Sequence, residues 1–227
     1  MKIIKPYFII EDEINGEKML KKLEKAGRTC YKSEEKITKD SAVNFVKKIL
    51  SSNPPHESII EHEKITVRII CDRGVTHEIV RHRIASYSQE STRYCNYSGE
   101  KFGGEITVVD PCFWEIDKDD KFTEGNWDVL DKKNMEKRRI WNSAMEFAEK
   151  SYLKLIELGA TPQEARSVLP NSLKTEIVIT FNLREWRHFF RLRCSPKAHP
   201  QMREIAIPLL KEFKNRIPVI FDDIVFE

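Results

Sequence analysis

The hydrophobic pattern of this chain changes period again and again over short distances, and no other feature constrains its fold as tightly. Ile65, Val67 and Ile69 alternate with Thr66 and Arg68, the period of a half-buried strand. Asp72-Arg73-Gly74 breaks that strand, and the next stretch, Val75 to Arg83, reads as a short helix. Residues 84–98 mix Ser, Tyr and Gln and read as extended. Upstream, Asp40 or Ser41 can cap a helix carrying Val43, Val46 and Leu50 on one face, stopped by Asn53-Pro54-Pro55. Downstream, Trp141, Ala144, Ala148, Tyr152, Leu155 and Ile156 recur at helical spacing up to Gly159. Thr161-Pro162-Gln163-Glu164 is a capping box with Pro at the first helical position, and Pro170 ends the helix it starts. The run EIVITF, Glu176 to Phe181, suits a buried strand. Asn182 can cap another helix, with Glu185 three residues on, and His199 to Lys214 forms a further amphipathic helix closed by Pro218. Strands and helices are interleaved with no break between them, which predicts a single α+β domain over residues 1–227.

Several classes drop out on composition. Apolar residues are 40% and charged residues 33%, with only 8 glycines, so disordered and collagen-like chains are excluded. No apolar run approaches the ~18 residues of a membrane span. The opening MKIIKPYFIIEDE meets acids too soon for a signal peptide. The five cysteines, Cys30, Cys71, Cys95, Cys112 and Cys194, are odd in number and widely spaced, which argues against a disulfide framework or a structural zinc and for a reducing, cytoplasmic setting. Residues 115–128 are polar and acidic and read as a solvated loop. The net charge of +3 is too mild to announce a nucleic-acid binder.

What the net charge hides is where the arginines sit. Eight of the fifteen, at 81, 83, 93, 166, 184, 187, 191 and 193, fall in three short stretches. The densest runs from Arg81 to Arg93 and crowds cations, hydroxyls and amides together. If residues 89 to 93 are extended, Gln89, Ser91 and Arg93 share one face. Guanidinium beside hydroxyl suits phosphate, since Arg offers a bidentate fork and Ser an adaptable donor; a solvated basic turn would look the same. In the second stretch a helix would put Arg184, His188 and Arg191 on one face and Trp186, Phe189, Phe190 and Arg193 on another. Arg193 on that apolar flank needs an anion or an acceptor. His56 and His62 flank Glu57 to Glu61 in a spacing unlike the zincin pattern, and no metal is assigned. There is no G-x-G-x-x-G, Walker loop or G-x-S-x-G, so any nucleotide phosphates must be held by Arg and hydroxyl side chains.

Arg81-His82-Arg83, seven residues and then Ser91 resembles the R-H-R-x7-S signature of the flavin-dependent thymidylate synthases, and Ser86 and Arg93 fit its longer form. Gly27 to Tyr31, His56 to His62, Arg166 to Pro170, Asn182 to Arg184, Leu192-Arg193 and Ala198-His199 are similar to that family's other landmarks, in order. The resemblance implies a central mixed or antiparallel sheet flanked by helices, in a homotetramer with FAD at the subunit interfaces. It implies dTMP made from dUMP, with NADPH as reductant and methylenetetrahydrofolate as carbon donor. Carried over by position, Arg81, Gln89, Glu90, Ser91, Thr92, Arg93 and Arg166 would surround dUMP, with Glu78 a weaker member. Arg193 would polarise the uracil as the catalytic residue. Cys30, His56, Ser58, Glu61, Arg81, His82, Arg83, Ile84, Gln89, Asn182, Arg184 and His188 would contact flavin. Neither nucleic acid nor membrane is implied as a partner.

Two positions depart from the family pattern. Glu78 stands where Gln is common, and its carboxylate is expected to pair with Arg81 at i, i+3. Cys30 stands where some relatives have Ser, weakening any hydroxyl contact to flavin. Two other readings of the residues remain open. One is a module that binds nucleic-acid phosphates through the same arginines. The other is a nucleotide enzyme with a covalent step at Cys112 or Cys194.

Overall fold

The structure is a computed structural model that describes residues 1–114 and 129–226, so the acidic segment 115–128 lies outside the described residues. In chain order the elements are β1 (Lys2–Ile4), β2 (Tyr7–Ile10), α1 (Gly16–Thr29), α2 (Ser41–Ser51), β3 (Lys64–Asp72), α3 (Arg73–Ile79), β4 (Ala85–Gln89), β5 (Thr107–Val109), α4 (Val129–Glu157), α5 (Pro162–Ala165), β6 (Lys174–Asn182), α6 (Leu183–Arg193) and α7 (Pro200–Arg216). The fold is α+β, with two sheets where one was expected. Four strands follow the order β2-β3-β6-β4, and β1 pairs in parallel with β5, Lys2 facing Thr107.

Local chemistry sets the boundaries, and several differ from the sequence expectation. The Asp72 carboxylate accepts the Val75 N–H at 2.8 Å, so α3 begins at Arg73, two residues early. The stretch expected to stay extended as far as residue 98 leaves strand geometry after Gln89. There the N–H groups of Tyr94 and Cys95 fold back onto the Ser91 carbonyl at 3.1 and 2.9 Å. Gln89, Ser91 and Arg93 therefore do not share one strand face. The capping box forms as expected, the Glu164 carboxylate accepting the Thr161 N–H at 2.7 Å. It caps only four helical residues before a 3-10 turn, Arg166–Val168, takes over. On α2 the buried face is Ala42, Val46 and Ile49, leaving Val43 exposed.

The chain divides into two compact units. One comprises Met1–Pro6, Ile70–Thr76 and Gln89–Glu176. Its core joins Ile106 and Val108 to Trp141, Met145 and Tyr152 of α4, with Tyr97, Ala165 and Leu173. Polar edges are satisfied there: the Trp141 indole N–H donates to Ser172 at 3.1 Å.

The other unit comprises Tyr7–Ile69, His77–Ser88 and Ile177–Glu227. Its core is aromatic. Phe181 of β6, Trp186, Phe189 and Phe190 of α6, Phe213 of α7 and Phe221 are all fully buried. Each such side chain contributes about 1.5–3 kcal/mol of burial, which fixes α6 by its apolar face. The Trp186 indole N–H donates to the Ile65 carbonyl at 3.0 Å. α1 packs on α2 at Gly27, where a Cβ would stand 2.6 Å from the Phe45 ring. Only glycine lets the two helices approach that closely.

Candidate functional site

α6 carries one group of polar side chains on its buried flank. Asn182 caps the helix by accepting the Glu185 N–H at 2.8 Å. The Glu185 side chain does not complete a capping box. It is buried, and it meets His82 Nδ1 at 2.9 Å. At the C-terminal end of the helix, Arg193 Nη1 donates to the Glu78 carboxylate at 2.7 Å and Nη2 to the Glu78 carbonyl at 2.9 Å. Arg193 Nε donates to His82 Nε2 at 3.2 Å. An arginine nitrogen only donates, so His82 Nε2 is the acceptor and the ring proton lies on Nδ1, shared with Glu185. Burial is the main influence lowering the His82 pKa below its ordinary value; Glu185 opposes it, and Arg193 and His188 reinforce it. Burial also pushes the Tyr87 hydroxyl up, which keeps it a donor to the Ile79 and His82 carbonyls at 2.9 and 2.5 Å. Glu78 is thus engaged by Arg193, not by Arg81 as expected. His188 brings a ligating atom within 4.8 Å of those of His82 and Glu185. The Arg193 guanidinium against His82 disfavours a metal cation there.

A second flank of α6 meets acids. Glu57 opens the 3-10 turn Glu57–His62 and accepts from Arg187 Nε at 3.1 Å and Arg191 Nη1 at 3.2 Å. Arg187 is buried and forms a two-pronged pair with Asp223, at 2.6 and 2.8 Å, while also donating to the Ile220 carbonyl. Arg184 Nη1 donates to Glu61 at 2.6 Å. Arg187, one of the eight arginines clustered in the sequence, is therefore structural.

In the other unit, Gln89 donates from its amide to Thr76 and Thr175 hydroxyls at 3.0 and 3.3 Å. Glu90 accepts from Tyr97 Oη and from Lys174 Nζ, both at 2.7 Å. Ser91 Oγ accepts the Arg93 N–H at 3.3 Å, which leaves its own proton to donate. Thr92 is buried and accepts from Arg166 Nη1 at 3.4 Å. Arg93 lies over the Tyr94 ring at 5.4 Å. Glu90, Tyr97 and Lys174 also line a cleft of about 370 Å³ with Lys2, Lys101 and Phe102.

Two grooves collect six of the twelve residues expected at flavin. Cys30, His56 and Ser58 line a groove of about 970 Å³ beside α1 and α2, with Arg28, Lys48 and Phe45. Glu61, Ile84 and Asn182 line a shallower one of about 450 Å³. Arg81 and Arg83 are exposed and have no side-chain partner among the described residues. Sequence reasoning missed Glu185, which looked like a helix-start residue, and Arg28, whose side chain Glu24 holds at 2.7 Å on the groove wall.

Residues 15–219 match the model of the thymidylate synthase complementing protein family. The chain belongs to this family. Among relatives of this thymidylate synthase family member is a flavin-dependent thymidylate synthase of Geobacter sulfurreducens, 34% identical over 205 residues, covering 87% of this chain and 78% of the relative. Another, of Pyrococcus horikoshii, carries the same name and is 40% identical over 183 residues, covering 80% and 67%. A solved structure of the UMP/dUMP methylase PolB from Streptomyces cacaoi, bound with 5-Br dUMP, shares the fold with a TM-score of 0.74 over 98% of this chain and 96% of that one, at 21% identity. Of the two cysteines in the covalent reading, Cys194 is a poor nucleophile, because burial pushes its thiol up to about 12.

Proposed function

We propose that this chain makes dTMP from dUMP by reductive methylation, with methylenetetrahydrofolate giving the carbon and NADPH the electrons, as a cytoplasmic homotetramer. Family membership supports the thymidylate synthase activity and the flavin. One structural observation supports the choice of site. The clustered arginines split into two sets. Arg184, Arg187, Arg191 and Arg193 are bound to carboxylates. Arg81, Arg83, Arg93 and Arg166 have no carboxylate partner among the described residues. Cations left unneutralised in this way suit ligand phosphates.

The groove lined by Cys30, His56 and Ser58 fits FAD. Its volume is at the upper end of small-ligand sites, and it offers cations and hydroxyls for a pyrophosphate and Phe45 and Ile59 for a ring system. His56 and Ser58 of this groove, with the exposed Arg81 and Arg83, would hold the cofactor, and flavin when bound supplies the hydride chemistry. Ser91, Arg93 and Arg166 would take the dUMP phosphate, with Gln89, Glu90 and Thr92 ordering the segment between them. Arg193 would stabilise negative charge on the uracil oxygens; a guanidinium stays charged, so it acts through its field and not as a base. The purified protein should be yellow, and its NADPH oxidation should respond to dUMP. A protein that stays colourless when FAD is added refutes the reading.

A further inference from the structure

We infer that His82 and Glu185 are positioning residues that hold Arg193 in its working orientation through the histidine tautomer. The inference rests on the role proposed for Arg193. Three acceptors fix that guanidinium: the Glu78 carboxylate on Nη1, the Glu78 carbonyl on Nη2 and His82 Nε2 on Nε. The third acceptor exists only while His82 is neutral with its proton on Nδ1. Glu185, itself buried, accepts that proton at 2.9 Å and so selects the tautomer. Protonated His82, or the other tautomer, would point an N–H at the Arg193 N–H, and two donors facing each other would break the clamp. The groups facing His82 are Glu185, His188 and Arg193 of α6, the rings of Phe181 and Phe189, and Glu78 beyond Arg193. Both ring nitrogens are therefore spent within the chain. The flavin contact expected of His82 could involve only its ring edge.

Glu185→Gln tests this. The amide can still accept from Nδ1 through its oxygen, but it can equally donate to the wrong tautomer, so part of the population loses the clamp. With the two tautomers held equally, about half of the enzyme keeps the clamp, so we expect kcat for dTMP formation to fall only about twofold, with flavin absorbance retained. The wild-type enzyme should lose activity on the acid side as His82 takes up a proton. The Glu185 carboxylate favours that protonation, so in Glu185→Gln the acid limb should move to lower pH. A fall in kcat with the limb unmoved means Glu185 merely supports the fold and overturns the inference. Arg193→Ala, run alongside, separates the two levels of the argument. If Arg193→Ala is inactive while the acid limb of Glu185→Gln stays where it is in wild type, only the positioning role fails. If Arg193→Ala turns over normally, the role of Arg193 fails and the inference with it. Where Glu185→Gln does not retain flavin, His82→Asn serves instead: its amide can accept from Arg193 but cannot titrate, so the acid limb should vanish, and a limb that persists overturns the inference.

Discussion

Glu57 ties the turn it opens to α6, and its removal should cost a stability that the structure lets us apportion. Its carboxylate meets Arg187 Nε at 3.1 Å, Arg191 Nη1 at 3.2 Å and Arg184 Nε at 3.8 Å. The three pairs are unequal. The Arg184 and Arg191 side chains are 52% and 44% exposed, and such pairs are worth about 0–1 kcal/mol each. The Arg187 side chain is 2% exposed, and a hydrogen bond to a charged group there is worth about 1.5–3 kcal/mol. In Glu57→Ala, Arg187 keeps Asp223 and the Ile220 carbonyl. The ~3–5 kcal/mol cost of a wholly uncompensated buried charge is therefore not reached. We expect a loss of about 2–3 kcal/mol, which for a chain of this length lowers Tm by about 4–12 °C. Calorimetry at fixed protein and flavin concentration measures it, since bound ligand shifts Tm by mass action. Glu57→Ala with Arg191→Ala should melt close to Glu57→Ala alone. Glu136→Ala, which removes an ion pair with Arg139 exposed on both sides, should leave Tm unchanged. A Glu57→Ala melt indistinguishable from Glu136→Ala refutes the reasoning.

Ser91→Ala should weaken dUMP binding by about 1–3 kcal/mol, roughly 5- to 150-fold in Kd, with flavin absorbance unchanged, because the serine proton is free to donate; titration calorimetry checks it, and an unaltered Kd removes Ser91 from the phosphate site. Glu78→Gln keeps an acceptor for Arg193 Nη1 but deletes the charge that offsets the guanidinium. It should tighten dUMP binding in the same calorimetric assay, and weaker binding would show that the Glu78 carboxylate, not merely its oxygen, is needed to hold Arg193.

The sequence showed most of the elements, because each has a local cause. β6 alternates buried and half-buried residues along its whole length, and Asn182 caps α6 as its position implied. The boundaries that shifted were moved by single side chains or backbone bonds. Asp72 starts α3 early, and the Ser91 carbonyl gathers two N–H groups and ends the extended run. The polar partnerships were less legible. Glu185 has two readings at its position: a carboxylate three residues after Asn182 can close a capping box, or it can reach a group 103 positions away in the chain. Only the tertiary fold brings His82 within its reach. The same holds for Glu78, whose local partner Arg81 lost to Arg193, 115 positions on.

The eight clustered arginines looked equivalent in the sequence, and the structure separates them by what they touch. A run of basic residues on a helix invites a polyanion, yet on α6 those cations face Glu57, Glu61, Glu78 and Asp223 and are already neutralised. A nucleic-acid surface works by releasing counterions, and a guanidinium already paired with a carboxylate of its own chain would have to give up that partner to reach a phosphate. The reading that gave all eight arginines to a polyanion thus loses half of its cations. The four without a carboxylate sit in the Arg81 to Arg93 segment and at Arg166. Too few to track a backbone, they match the phosphates of discrete nucleotide ligands. A net charge of +3 is the sum of these opposite situations, so it carries almost no information about either.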